Sequence, residues 1–545
     1  MKIISFLVLI ISLSVFAKSN SFEKEKQSSL KIMDAYIKEV YRLDSDGLLP
    51  RANRKLSWDQ IANKLSADIR ASKTKMELGR VFQRLDSAYT NLHARINLND
   101  EYNFNTEGRP MLAVTFRPET INEDGRVPKY LISNVRKEHF INLEPSMRPK
   151  VSDELIAINN IPIKNWADEN FEFCKFPLRS QCETEFFDNF RKGNLSWYRR
   201  QPLTFTLLRD GKKSDYQIPV FAAAKSDSND SDPLEACSLN KTRYPGFEMV
   251  YQGHHACAFE NKSHPNVTIL RIRSFRYKEV EGQIEIDQTS KEAKHFADLY
   301  WSKKISTTKH LIIDVVENGG GQAVVYWVKL FLDQDFQDQW VQFKKTKELE
   351  DPEWRNNAFY NEPGKEKIYQ DLKKSPKWAE IKEGEFIPAM PQFCISDTEC
   401  LTKKWQPQFP DKFKGHITIL TDPWCISSCT GFAWTMKYYL KDRVKFAGLP
   451  ESGDSTYSRS YIEASFIDKA PGYKLEVFPR APLSRPEVSK DAFFRSAIST
   501  SRSTDEDGNI VSGVPMKVDY FIAPKWDEDV DEWVGRMIGV VLNRR

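Results

Sequence analysis

Four apolar runs constrain this chain more than any other feature: VTILRIRSF from Val267, HLIIDVV from His310, HITILT from His416 and VKFAGL from Val444. The first three are each followed by a stretch of helical character, around Ser290 to Lys304, after Gly321 and after Ser427. Continuous apolar runs alternating with helices predict an α/β domain on a largely parallel sheet, because parallel strands are buried on both faces and joined by helical crossovers. Between Leu332 and Lys414 the alternation is broken by a Trp-, Lys- and Pro-rich segment containing Cys394 and Cys400, too long for a simple connection. It is expected to be a lid-like insertion at about 333–414.

Upstream the pattern changes twice. Residues from about Ser21 to Ile96 carry helical periodicity, through Ile32, Ala35, Tyr36 and Val40 and again Ile61, Leu65 and Ile69. Met111 to Val220 then shows short strands (MLAVTF, KYLISNV, DELIAINN, LTFTLLRD) separated by turns, a compact β-rich module. The charged, Ser-rich Lys225 to Asp232 marks a boundary or exposed loop. The expected division is 1–17 export signal, 18–107 helical, 108–224 β-rich, 225–265 linker and 266–545 α/β core. The class is α+β multidomain.

The first seventeen residues have a basic start at Lys2, an apolar run from Ile3 to Ile11, and Val15-Phe16-Ala17 with small residues suited to signal peptidase. That is the form of an export signal, and the run is shorter than the ~20 residues that cross a bilayer. The mature protein is expected to be soluble, periplasmic or extracellular, without stable membrane insertion. Lys plus Arg (80) nearly balance Asp plus Glu (76), with no basic cluster to track a phosphate backbone, so nucleic acid is excluded as a partner. The eight cysteines fall into local neighbours, Cys174 with Cys182, Cys237 with Cys257, Cys394 with Cys400 and Cys425 with Cys429, which in an exported chain read as disulfides. No histidine pair stands at helical ligand spacing and the Cys425/Cys429 step lacks partner ligands, so neither a metal nor any other cofactor is implied.

Two segments of the core carry chemistry. His310-Leu-Ile-Ile-Asp-Val-Val-Glu-Asn-Gly-Gly-Gly321 runs a buried-type strand into three glycines ahead of a helix, leaving backbone N–H groups free for a developing oxyanion; a tight turn or a phosphate-binding loop would use the same glycines. Ile417-Thr-Ile-Leu-Thr-Asp-Pro-Trp-Cys-Ile-Ser-Ser-Cys429 ends a strand in a turn and sets Ser427 or Ser428 at a helix N-terminus. There the helix dipole favours an alkoxide, although an N-cap serine has the same appearance.

The succession strand-Asn-Gly-Gly-Gly-helix, strand-turn-Ser-helix, and a strand ending in Gly448-Leu-Pro-Glu-Ser-Gly453 resembles the catalytic core of the C-terminal-processing (tail-specific) serine peptidases, which share the fold of crotonases and Clp proteases. The resemblance implies Ser427 as nucleophile and Gly319, Gly320 and Ser428 as the oxyanion hole. Val151-Ser-Asp-Glu-Leu-Ile-Ala-Ile-Asn-Asn-Ile-Pro-Ile163 looks like the corresponding stretch of a PDZ domain, which implies binding of an extended polypeptide tail along Leu155, Ile156 and Ile158. Where the best-known branch has a Gly-Lys-Gly turn, this chain has Ser452-Gly453-Asp454-Ser455, and Lys437 lies ten residues, ~15 Å, along the helix from Ser427. Leu85-Asp-Ser-Ala-Tyr-Thr-Asn-Leu-His-Ala-Arg-Ile96 instead resembles the segment that supplies a histidine base in the tricorn-like branch, which implies His93. That branch orients its histidine with a preceding Ser and a late Glu; here Leu92 holds the first position and Gly508 to Val514 contains no Glu, leaving Asp86, Glu451 and Asp454 as substitutes. The implied function is an exported serine endopeptidase of unfolded or tail-presented polypeptides. A catalytically inactive homologue that binds peptides in the cell envelope is the alternative.

Overall fold

A computed structural model describes residues 2–45, 57–89, 91–102, 109–171, 174–184, 204–223, 237, 242–275, 279–280, 283–284, 287–321, 324–359, 361–396, 398–454, 459–467, 471–479 and 491–544. The Lys225 to Asp232 stretch, read as an exposed loop, and Ser455 lie outside them.

The four apolar runs are consecutive neighbours in one seven-stranded sheet. Glu248–Gln252, Ala256–Glu260 and Val267–Ile272 are antiparallel. From Val267–Ile272 the order continues in parallel through His310–Asp314, His416–Thr421, Val444–Gly448 and Tyr520–Phe521. Every residue of Val267–Ile272 and His310–Asp314 is buried, as expected for strands covered on both faces. One face packs on Phe296, Trp301, Phe432 and Met436, the other on Trp533, Val534 and Met537 of the C-terminal helix Val530–Asn543. The central sheet is thus sandwiched, and strand C-terminal ends collect at one edge, where such sheets place their sites.

The N-terminal segment folds as helices Lys2–Leu43, Trp58–Ala71 and Lys75–Ala88, the second started by a Ser57/Gln60 capping box. No described helix is long and apolar enough to cross a membrane. Their apolar stripes, including Ile32, Tyr36, Ile61, Leu65, Ile69 and Phe82, pack on a four-stranded antiparallel sheet of Arg95–Leu98, Ala492–Ser499, Arg459–Ile467 and Gly472–Pro479. Three of those strands come from the far end of the chain. Arg95–Leu98, inside the segment read as all-helical, pairs Arg95 with Ala497, so the start and end of the sequence close one layer.

The β-rich module is an antiparallel sheet in the order Val114–Pro118, Tyr130–Val135, Glu154–Ile158, Thr204–Arg209, Lys212–Gln217, with Ile161–Pro162 turning back on Glu154–Ile158. The expected peptide-binding residues Leu155, Ile156 and Ile158 lie on the third of these strands. Glu154–Ile158 pairs along one side with Thr204–Arg209, and on the other with Tyr130–Val135 at Glu154 and with Ile161–Pro162 at Ala157 and Ile158. Leu155 and Ile158 are core side chains beside Phe116 and Phe205, and Ile156 is half-buried.

The insertion has a core of its own, built from Val341, Phe343, Leu349, Phe359, Tyr369, Ile387 and Met390. Its strand Trp340–Phe343 pairs with Met390–Pro391 and with Ser501–Thr504, which seats it beside the N-terminal layer. All four cysteine pairs are at disulfide distance: Cys174–Cys182, Cys237–Cys257, Cys394–Cys400 and Cys425–Cys429.

Candidate active site

Two strand ends of the central sheet meet at the glycine turn and the serine elbow. Asn318, fully buried, organises the first: its Nδ2 donates to Ile272 O (2.9 Å), its Oδ1 accepts from Gly320 N (2.9 Å), and its carbonyl accepts from Ile426 N (3.3 Å). Gly320 has φ +84°, and a Cβ there would stand 2.4 Å from Ile426 O and 2.8 Å from Ser427 Cβ. Only glycine lets the turn lie this close against the elbow.

Ser427 caps the helix Ser428–Leu440 with φ 61° and ψ −122°, a conformation that non-glycine residues adopt only when held there. Its hydroxyl makes no capping bond to the helix it precedes. Ser428 is different: its Oγ donates to Gly321 O. The Cys425–Cys429 disulfide, Cα atoms 5.0 Å apart, spans the elbow, and both sulfurs are buried.

The expected oxyanion donors do not behave alike. The Gly320 N–H is engaged by Asn318 Oδ1, whereas among the described residues neither the Gly319 nor the Ser428 N–H donates a hydrogen bond. Ser428 N lies 3.1 Å from where a Gly320 Cβ would stand, so the free donors border the same space beside Ser427.

His93 arrives from the other end of the chain, two residues before the strand Arg95–Leu98. Buried Asn91 shapes its turn, with Oδ1 accepting from His93 N (2.8 Å) and Ala94 N (3.1 Å) and Nδ2 donating to Ser499 Oγ (2.9 Å). An Asn two residues ahead of the histidine is the sequence signal that reading overlooked. Of the three substitutes for the orienting group, the structure brings Asp454 to the ring: its Oδ1 stands 2.9 Å from His93 Nδ1. Its Oδ2 accepts from Leu92 N (2.6 Å) and His93 N (3.2 Å), and its backbone carbonyl accepts from Ser427 N (2.6 Å). One buried residue thereby touches both histidine and serine.

The other two acidic residues are committed elsewhere. Asp86 accepts from Ile96 N (2.8 Å) and pairs with Lys175 Nζ (2.9 Å). Glu451, fully buried, accepts from Met516 N (2.8 Å), Gly453 N and Thr430 Oγ1 (3.0 Å); burial outweighs these bonds and pushes its carboxyl up to about 7. Lys437 Nζ donates to Val444 O (2.9 Å), at the far end of the helix.

Residues 266–462, which hold the glycine turn, the elbow and Asp454, match the model of peptidase family S41. That segment is similar to the S41 peptidases. The chain is a serine-type peptidase on that basis. Among solved structures, mature CPAF complexed with lactacystin aligns with this chain at a TM-score of 0.56 and 11% identity, over 95% of this chain and 99% of that one. Mature CPAF gives 0.55 at 11% identity, over 95% and 98%. At that identity the likeness concerns the fold, and it extends over the N-terminal helices and β-rich module that flank the S41 segment. No curated protein sequence matches the chain.

Proposed function

We propose that this protein is an exported serine endopeptidase that cleaves unfolded or tail-presented polypeptides, with Ser427 as nucleophile, His93 as general base and Asp454 as the group that orients His93. The observation that carries the reading is Asp454 itself, whose carboxylate lies 2.9 Å from His93 Nδ1 while its carbonyl accepts the Ser427 N–H at 2.6 Å. A carboxylate on Nδ1 selects the tautomer that leaves Nε2 free to take a proton and stabilises the imidazolium that results.

In the first step the Ser427 Oγ forms a bond to the substrate carbonyl carbon as its proton passes to His93 Nε2. The carbonyl oxygen becomes an anion facing the Ser428 and Gly319 N–H groups at the helix N-terminus. Collapse breaks the C–N bond, the leaving amine takes the proton from His93, and an acyl-enzyme remains on Ser427. Water, deprotonated by the same imidazole, attacks the ester and releases the new carboxyl terminus. The signal-like first seventeen residues and four disulfide pairs support export. Tail presentation rests on the PDZ-like sequence of the β-rich module, whose outermost strands are Val114–Pro118 and Lys212–Gln217.

The inactive-homologue alternative drew its force from Leu92 and the missing orienting Glu; the position of Asp454 against His93 Nδ1 supports the catalytic reading over it. Digestion of an unfolded protein by the mature chain, with fluorophosphonate labelling, tests the proposal. Cleavage and label should vanish in Ser427→Ala and cleavage should fall at least about 10³-fold in His93→Ala. Ser428→Ala, which loses only a hydroxyl bonded to Gly321 O, should retain both. A wild-type chain that binds tails yet takes no label would establish the inactive alternative.

A further inference from the structure

A segment of the β-rich module, between the helix Ile163–Phe171 and the strand Thr204–Arg209, touches the two stretches that carry His93 and Asp454. It is a loop closed by the Cys174–Cys182 disulfide. On its inner side Lys175 Nζ donates to Ala94 O (2.8 Å), the residue after His93, and pairs with Asp86 (2.9 Å), whose other oxygen accepts from Ile96 N. Gln181, fully buried, donates from Nε2 to Pro450 O (3.1 Å) and Glu451 O, on the strand exit that leads to Asp454. Between them Phe176 meets Trp424 edge to face at 5.9 Å, beside the elbow.

On its outer side the loop is bolted to the rest of the module. Arg179 pairs with Asp168 of the helix Ile163–Phe171, and buried Glu183 accepts from Tyr130 of the strand Tyr130–Val135. The base and its carboxylate come from segments 361 residues apart in sequence, with no covalent reason to stay in register. The loop holds each of them with a hydrogen-bond donor set on one disulfide-closed frame.

We propose that the Cys174–Cys182 loop is a positioning element of the peptidase, with Lys175 and Gln181 as positioning residues that fix the His93 turn against Asp454. The proposal rests on the Ser427–His93–Asp454 reading. A frame of this kind acts on the chemical step, since a base misplaced by about 1 Å can cost up to 10²-fold in rate. It also makes the seating of the β-rich module a determinant of kcat.

The test compares wild type with Lys175→Met, Lys175→Arg and Gln181→Leu, measuring kcat and KM on a short peptide, the acidic limb of kcat against pH, fluorophosphonate labelling and thermal unfolding. Lys175→Met and Gln181→Leu should lower kcat about tenfold with KM changed by less than about twofold. Loosening Asp454 from His93 removes a charge that favours the imidazolium, so the acidic limb should move to lower pH. Lys175→Arg, which keeps a cationic donor for Ala94 O and Asp86, should recover most of the rate and the wild-type limb. A change confined to KM, or a rate loss that follows melting temperature with no shift in the limb, would overturn the positioning role. Absence of label in the wild type would overturn the catalytic reading and this inference together, whereas a labelled wild type with an unaltered Lys175→Met removes the inference alone.

Discussion

Asp454 serves two partners with different parts of itself, and the two can be separated by substitution. Its carboxylate engages the His93 ring and the N–H groups of Leu92 and His93; its carbonyl holds the Ser427 N–H and is indifferent to the side chain. Asp454→Asn preserves size and the carbonyl bond while replacing an acceptor pair with one acceptor and one donor. The amide then either faces Nδ1 with its NH2 or leaves the backbone donors unmatched, and the imidazolium loses its counter-charge. We expect kcat to fall ~10²–10⁴-fold with the elbow intact, read by kinetics beside near-UV circular dichroism. A loss under about tenfold would assign the orientation of His93 to another group.

At the level of elements, the site is a glycine turn pressed on a helix start, and the pressure is measurable at Gly320. An alanine there needs φ +84° and places its methyl carbon 2.4 Å from Ile426 O. Neither the carbonyl nor the disulfide-braced elbow can yield without moving Ser427, so Gly320→Ala should reduce kcat at least about 100-fold and lower the melting temperature. Gly384→Ala makes a control for backbone strain alone, since Gly384 also has positive φ (+86°) but nothing within 4 Å of its would-be Cβ. Equal activity losses in the two would sink the packing argument. The strand–glycine–helix and strand–serine–helix units were legible in the sequence because each is written in contiguous residues whose apolar run, turn and cap are local chemistry. The distinction between Gly319 and Gly320 was not, since it depends on where the Asn318 side chain turns. Nor does the apolar run through Leu155 and Ile158 say more than that a strand forms there; whether a strand lies at an edge or between neighbours is set by its partners. The pairing of His93 with Asp454 belongs to tertiary structure entirely, set by Arg95–Leu98 adding to strands almost four hundred residues later.

Across the whole molecule, buried carboxyl groups set how stability depends on pH. Burial pushes Glu183, Glu292 and Glu451 up to about 7 and Asp338 to about 6, in each case over hydrogen bonds that favour the charged form. In the unfolded chain these groups titrate near ordinary values of 4.5 and 3.8, so between there and about 7 the folded protein binds more protons than the unfolded one. Stability from these groups is therefore complete below that window and is lost as pH rises through it. Asp314 works in reverse. Fully buried, it is nonetheless held below its ordinary value by Arg243 and Arg271, so its contribution is present at neutral pH and lost as pH falls below about 4. Together the two sets place the stability maximum on the acidic side of neutrality, near about pH 5. Guanidinium unfolding with disulfides intact should give a lower midpoint at about pH 8 than at about pH 5. Glu451→Gln cannot ionise and keeps one acceptor oxygen where the carboxyl has two, so it should lower the midpoint at both pH values while reducing the difference between them. A midpoint that rises from pH 5 to pH 8, or a Glu451→Gln curve with the full wild-type slope, would mean that Glu451 enters the folded core as a carboxylate.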